Sequence, residues 1–381
     1  MKTSIHFLAV MVFTGMFVTS CDKEPSSVLT IPDENLLGAL IMAGVDTNSN
    51  GIIERAEALK VTALDLSNKN ISNLNGIEAF TNLEVFYFYN NKVTSLNLSK
   101  NNALKRLYCS GNPLTSIDVS KNLNLTHLSC GSNSITSLDV SQNKKLEFLA
   151  CSSTGITNLN LSGLNVLKEF ACRQGVLTTL NLANDTALRT IDCAMNELTS
   201  LDISTNIKLT WIDCSNNKLS SLNINSNTQL HGLICGINEL TSLNTSNNPK
   251  LSALYCNDNK ITSLNLTNNT LLKEILNCSN NELTALNTSA CTLLEALYCR
   301  GNHLTSLGLT SNTQLEVLDC GHNQLAGLNI SNNPLLVVLN IDEMSTLFKV
   351  CTWVLPFPPA TVNVIKTSSP NVYYSTDCSG I

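Results

Sequence analysis

Charge is scarce in this chain. Only 14% of its residues are Asp, Glu, Lys or Arg, against roughly a quarter in an average soluble protein. The charges present lean acidic, with a formal net charge of −6, and no basic stripe of the kind that tracks a phosphate backbone is visible. Nucleic acid is therefore not an expected partner. After the first twenty residues no apolar run approaches the ~18 residues that cross a bilayer. A phosphate-cradling loop, a metal-hydrolase helix and a nucleophile elbow are missing too. His127, His231, His303 and His322 stand apart from any credible nucleophile, so no catalytic residue is assigned and the chain is expected not to be an enzyme. Abundant Leu and the modest net charge argue against disorder. In place of charge, Asn, Ser and Thr recur throughout all 381 residues.

The N-terminus reads as an address. Lys2 precedes an apolar stretch over 7–18, followed by Val18-Thr19-Ser20-Cys21. That order resembles a bacterial lipobox, in which Cys21 is lipidated and becomes the new N-terminus. The alternative is an ordinary signal peptide with an incidental cysteine. Residues 1–20 are thus expected as signal peptide and 21–30 as a linker below a lipid anchor, which holds the chain to the membrane without crossing it. Asp22, Lys23 and Glu24 are similar to the acidic starts that send some Gram-negative lipoproteins to the cell surface. The expected location is the outer membrane of a Gram-negative bacterium, with surface or periplasmic orientation open.

Residues 31–61 form the next unit. Leu36, Leu37, Leu40 and Ile41 share one helical face over 32–45, Asp33 and Glu34 suit the positive end, and Gly44 closes the helix. The twelve residues 46–57 then fit a calcium-loop pattern. Asp46, Asn48 and Asn50 offer oxygens at positions 1, 3 and 5, Ile52 a carbonyl, Glu54 a water-mediated contact and Glu57 a bidentate closure, with Gly51 at the sharp turn. Ca2+ is the one cofactor the pattern suggests; a cap that works without metal is the alternative.

From Leu104 onward the chain repeats every 21 residues as L-x-x-L-x-C-x-x-N-x-L-T-S-L-x-L-S-x-N, for example from Leu125 through Cys130 and Asn133 to Asn143. The period and the L-x-x-L-x-x-x-x-N core fall within leucine-rich repeats. Ladder positions at Leu66, Phe88, eleven successive cysteines from Cys109 to Cys320, and Ile341 count fourteen coils over 62–345. The step from Cys256 to Cys278 carries one extra residue near Leu276. One coil cannot bury its own apolar side, so neighbours stack and share a core. At about 4.8 Å per strand the array would be some 65 Å long. The expected fold is a mainly β repeat solenoid with a parallel sheet, a short second strand on the opposite side and little helix. The Asn three residues after each Cys should bond neighbouring backbone, a row that Thr154 and Gly175 interrupt.

With its helical cap ahead of the repeats, the chain resembles the internalin-like leucine-rich-repeat proteins. The resemblance implies a right-handed array, a cap similar to a degenerate EF-hand, and protein recognition as the activity, often adhesion. Cysteine in place of the usual ladder leucine is a departure from that family's pattern.

The ladder cysteines invite a metal reading, but structural zinc sites cluster their ligands as in C-x2-C. Here the thiols come one per coil with no histidine beside them, and Leu66, Phe88 and Ile341 fill equivalent slots, so they are expected as buried filler. Cys351 and Cys378 bracket a non-repeating, proline-containing tail at 346–381, expected as a C-terminal cap closed by their disulfide.

Strand alternation turns the residues three before, one before and one after each ladder position outward. Most are small, but Tyr87, Tyr89, Arg106, Tyr108, His127 and Phe148 lie toward the N-terminal end, Arg173, Asp192, Trp211 and Asp213 in the middle, and Tyr255, Tyr298 and Arg300 later. Tyr, Trp and Arg anchor interfaces, so this face is the expected binding surface for a cell-surface or extracellular protein. A glycan stacked on the same aromatic rings, or a periplasmic scaffold without an external ligand, are the alternatives.

Overall fold

The structure is a computed structural model, and it describes residues 27–369 and 372–380. The signal peptide and Cys21 lie outside the described residues. Within them, each repeat contributes a three-residue strand just before its ladder position, such as Arg106–Tyr108 ahead of Cys109. The strands pair in parallel and in register, with Leu107 opposite Phe86 on one side and Leu128 on the other. The result is a 15-stranded sheet running from Ala63–Asp65 to Asn363–Ile365. The central residue of each strand is buried in almost every coil, and its two neighbours point outward.

The opposite side is less regular. Among the described residues, paired strands form there at Asn158–Asn160 with Thr179–Asn181, Leu243–Asn244 with Leu264–Asn265, and Gly327–Asn329 through Lys349–Cys351 to Tyr373–Ser375, with a single parallel bridge between Asn287 and Gly308. The second strand expected in every coil is thus realised in part of the array. Among the described residues of the array, helix is confined to a single 3-10 turn, Ile77–Ala79. The extra residue between Cys256 and Cys278 is absorbed after Leu272, because Leu254 still pairs with Leu276.

Fourteen coils is one too few. The segment 346–381, expected as a separate cap, continues the solenoid: Asn363–Ile365 pairs with Val338–Asn340, and Tyr373–Ser375 with Lys349–Cys351. This coil lacks the Leu, Cys and Asn spacing, and backbone pairing alone defines it. Cys351 and Cys378 are joined by a disulfide with their Cα atoms 5.2 Å apart. Phe357 packs between Trp353 and Tyr374 beside it.

At the other end the helix is shorter than expected, Glu34–Met42, because Asp33 is its N-cap. Asp33 Oδ1 accepts from Leu36 N, while Oδ2 accepts from Ser72 N, Ser72 Oγ and Asn73 N in the first coil. One buried carboxylate therefore starts the helix and fixes it to the array. Burial pushes its pKa up, yet the donors from Ser72, Leu36 and Asn73 outweigh this and hold it below the ordinary value.

Two rows of buried asparagines tie coil to coil. In the first, Asn133 Nδ2 donates to Cys109 O and Cys130 O, and its Oδ1 accepts from Leu114 N. Equivalent bonds recur from Asn196 to Asn323. Thr154 keeps only a bond to Cys151 O. In the second row, Asn143 Nδ2 donates to Val119 O and Asn122 O, but Oδ1 is buried without a partner there and at Asn101, Asn122, Asn206, Asn227, Asn248 and Asn333. Asn269 and Asn312 differ: Thr245 and Thr288, each 24 residues upstream, donate Oγ1 to the amide oxygen at 2.7 Å. Val119 fills the equivalent position below Asn143. Burying a hydroxyl in place of a methyl ordinarily destabilises, yet Val119→Thr should be neutral or stabilising in urea unfolding. Thr245→Val should lose about 1–3 kcal/mol. A clear loss from Val119→Thr would show that the orphan oxygen gains nothing from a donor.

Asp185 breaks the second row. It is fully buried, Oδ1 accepts from Leu164 N at 2.9 Å, and Oδ2 has no partner. Burial raises its pKa to about 6, against hydrogen bonds from Leu164 and Gly163 and the charge of Lys144. The folded value lies above the unfolded one of about 3.9. Its contribution to stability is therefore complete below about pH 4 and is lost as pH rises through about 6. Asp185→Asn restores a donor at this position. It should be more stable than wild type by about 1–3 kcal/mol at pH 7.5, with the difference shrinking toward pH 4. Equal stabilities of the two proteins across that range would contradict this account.

Candidate recognition face

The register of the strands decides which outward side chains meet. Tyr87 is opposite Tyr108, and their rings stack at 4.7 Å and 14°. In the neighbouring row Arg106 pairs with His127 and His127 with Phe148, whose rings stack at 5.8 Å and 22°. These residues and Tyr89 are exposed or half-buried and form one patch over four coils. Thr126 donates its hydroxyl proton to Lys105 O, and its oxygen lies 2.9 Å from His127 Nδ1. The direction of that bond follows the imidazole tautomer. Burial and then the charge of Arg106 hold the His127 pKa below its ordinary value, with Glu147 and Glu169 opposing and Lys168 adding. Burial and the neighbouring Tyr87 raise the Tyr108 pKa.

The middle of the face is organised differently. Arg173 Nη1 reaches Asp192 at 3.4 Å and Asp213, two coils away, at 2.9 Å. Asp213 lies in an outward row but is only 6% exposed under this guanidinium. The expectation that it is an open contact residue is corrected: its carboxylate is occupied within the protein. Trp211 is 38% exposed and its ring lies across Gly232, where a Cβ would come within 2.1 Å of the indole. Gly232 was missed as a site residue although it stands 21 residues after Trp211, the repeat length itself.

Toward the C-terminal end Tyr255 and Tyr298 flank Asn277. Arg300 sits 3.9 Å from Asp342 and 3.6 Å from Glu343, which also meets His322 at 2.5 Å. Neither Asp342 nor Glu343 was named in advance, although Asp342, one residue after the ladder position Ile341, falls in an outward row.

The ladder cysteines and Cys291 are free and buried. Burial pushes most of these thiols up, to about 12 at Cys130 and Cys256 and about 11 at Cys291, which disfavours the reactive thiolate; the bond between Cys151 and Cys172 raises the first and holds the second below its ordinary value. Among the described residues no three His, Cys, Asp or Glu side chains come together as a metal site. In the 46–57 loop the side-chain oxygens bond the loop itself. Asp46 accepts from Asn50 N and Gly51 N, Asn48 from Asn50 N, and Asn50 from Ile52 N. Glu57 accepts from Thr47 N, Thr47 Oγ1 and Glu54 N, and Glu54 faces Asn50 Nδ2 at 3.5 Å. These bonds order the turn, and the calcium reading rests on the sequence pattern.

No family model matches the chain, and no curated protein matches it. Solved structures do. The functional domain of InlJ from Listeria monocytogenes, which includes a cysteine ladder, is 31% identical over 84% of this chain and 74% of its own, with a TM-score of 0.78. An internalin of the same organism is 22% identical over 84% of this chain and 95% of its own, at 0.72. A leucine-rich-repeat protein of Leptospira interrogans is also 22% identical, over 76% and 92%, at 0.63. The latter two share the fold. With the first of these likenesses, the stacked coils, parallel sheet and cysteine row described above make this chain a member of the internalin-like leucine-rich-repeat family.

Proposed function

We propose that this protein is a non-enzymatic, lipid-anchored module of the cell envelope that binds another protein through the outward face of its sheet. The patch of Tyr87, Tyr108, Arg106, His127 and Phe148 carries the reading. These are the residue types that dominate interface energetics, held on short strands whose inner face is fixed by the core. Family membership supports recognition of protein over catalysis. The lipid anchor is proposed from Cys21 and its lipobox. Among the described residues no helix is long and apolar enough to cross a membrane.

A glycan ligand is the second reading, favoured by Trp211 alone. Its ring lies across Gly232 and is 38% exposed, which leaves indole surface on which a sugar could stack.

Tyr87→Ser, Tyr108→Ser and Trp211→Ser combined should abolish capture of cell-surface protein by the purified chain while the melting transition persists. Retained capture would place the binding surface elsewhere. Loss of capture on adding soluble polysaccharide would instead favour a glycan. Protease treatment of intact and lysed cells then locates the array. Cleavage on intact cells is expected; cleavage in the lysate alone would replace recognition outside the cell with a role inside the envelope.

A further inference from the structure

Two of the three arginines in the outward rows are paired, while Arg189 on the flank is exposed with no carboxylate within ion-pair distance among the described residues. Arg173 holds Asp192 and Asp213, Arg300 lies by Asp342 and Glu343, and on the flank Lys105 meets Glu84 and Lys168 meets Glu147. Arg106 is different. It is exposed in the outward row, and among the described residues no carboxylate lies within ion-pair distance of it. Its strand neighbours are Val85 and His127, and Tyr108 lies two residues on in its own strand.

We propose that Arg106 is the receptor for a carboxylate side chain on an acidic peptide segment of the protein partner, seated between the Tyr87–Tyr108 stack and the His127–Phe148 pair. This rests on the reading of the outward face as a protein-binding surface. Three features on the face support it. An arginine fork in a partly apolar surround matches a carboxylate in two-pronged geometry and gains strength as water is excluded. The Tyr87 and Tyr108 rings face each other at 4.7 Å, so one face of each is covered by the other, and the remaining face, edge and hydroxyl of each can meet a ligand. The two hydroxyls beside the Arg106 fork suit a peptide with an acidic residue and apolar neighbours. His127 supplies the third feature. Its Nδ1 lies 2.9 Å from the Thr126 hydroxyl. The groups acting on it are Arg106 and Lys168, which disfavour its protonation, and Glu147 and Glu169, which favour it. A bound carboxylate adds to the second set, so acidification gives a second cation and tightens the complex.

Selection of a displayed library of random twelve-residue peptides against the full chain tests this directly. Peptides enriched in Asp or Glu are expected. Arg106→Gln should weaken them roughly tenfold to a hundredfold, the range of one charged hydrogen-bonded contact, with an unchanged melting transition. Trp211→Ser should change their affinity less than about twofold, as expected for a site several coils away. Binding should strengthen from pH 7.5 to 5.5, and His127→Phe should remove that dependence while leaving the Arg106 effect. Acidic peptides that bind Arg106→Gln as well as wild type overturn the proposal. If Tyr108→Ser still weakens such peptides, the face survives as a protein-binding surface and only the carboxylate receptor falls. Failure to enrich any peptide over an unrelated protein removes both. Displacement of the selected peptides by alginate, a polyuronate, from wild type and Arg106→Gln alike would assign the patch to acidic glycan and also overturn the peptide reading.

Discussion

The contact on which the rest depends is the amide of an asparagine buried between two coils. A coil of this size leaves several turn carbonyls facing the core side, where water cannot reach them. Each first-row Asn answers two of these with one NH2 group and takes a backbone N–H of the previous coil on its oxygen. A net value of about 1 kcal/mol per bond is modest, but leaving those groups unsatisfied in the core costs more than the bonds gain. The side chain therefore fixes the spacing and the register of neighbouring coils together. Leucine burial supplies most of the driving force, and the amide ladder decides which stacked arrangement that force produces.

Register is also what builds the outward face. Side chains 21 residues apart in sequence become lateral neighbours, so Tyr87 finds Tyr108 and His127 finds Phe148 without any long-range search. The same arithmetic sets Asp192 beside Asp213, both within reach of Arg173. One rule thus creates both an open aromatic patch and a closed ion-pair cluster, and the difference between them is only which residue types occupy consecutive coils.

The array itself was legible because its signals are periodic: Leu for the core, Asn for the turn, and a slot that accepts Cys, Leu, Phe or Ile. What stayed hidden was set by neighbours rather than by spacing. The fifteenth coil carries Val364 and Tyr374 where the pattern asks for leucines, and nothing short of the backbone pairing reveals it. The orphan oxygens of the second asparagine row, and their rescue by Thr245 and Thr288, depend on a residue 24 positions away. At the face, alternation correctly told which way side chains point but not whether they are free. Asp213 points outward and is covered, since an arginine two coils off can lie over it. Asp33 was seen as a helix-start residue, while its second role at Ser72 needed the fold.

Each asparagine bridges its own coil and the one before it, and none reaches further. A coil is consequently an exchangeable unit. Copying or deleting a 21-residue block leaves every remaining amide with partners equivalent to those it had, provided the block begins and ends at the same point of the repeat. Growth of the chain by duplication then lengthens the face in steps of about 4.8 Å while the two ends keep their own chemistry. The reach of such a surface can change by whole coils in a single event, without any of its packing having to be reinvented.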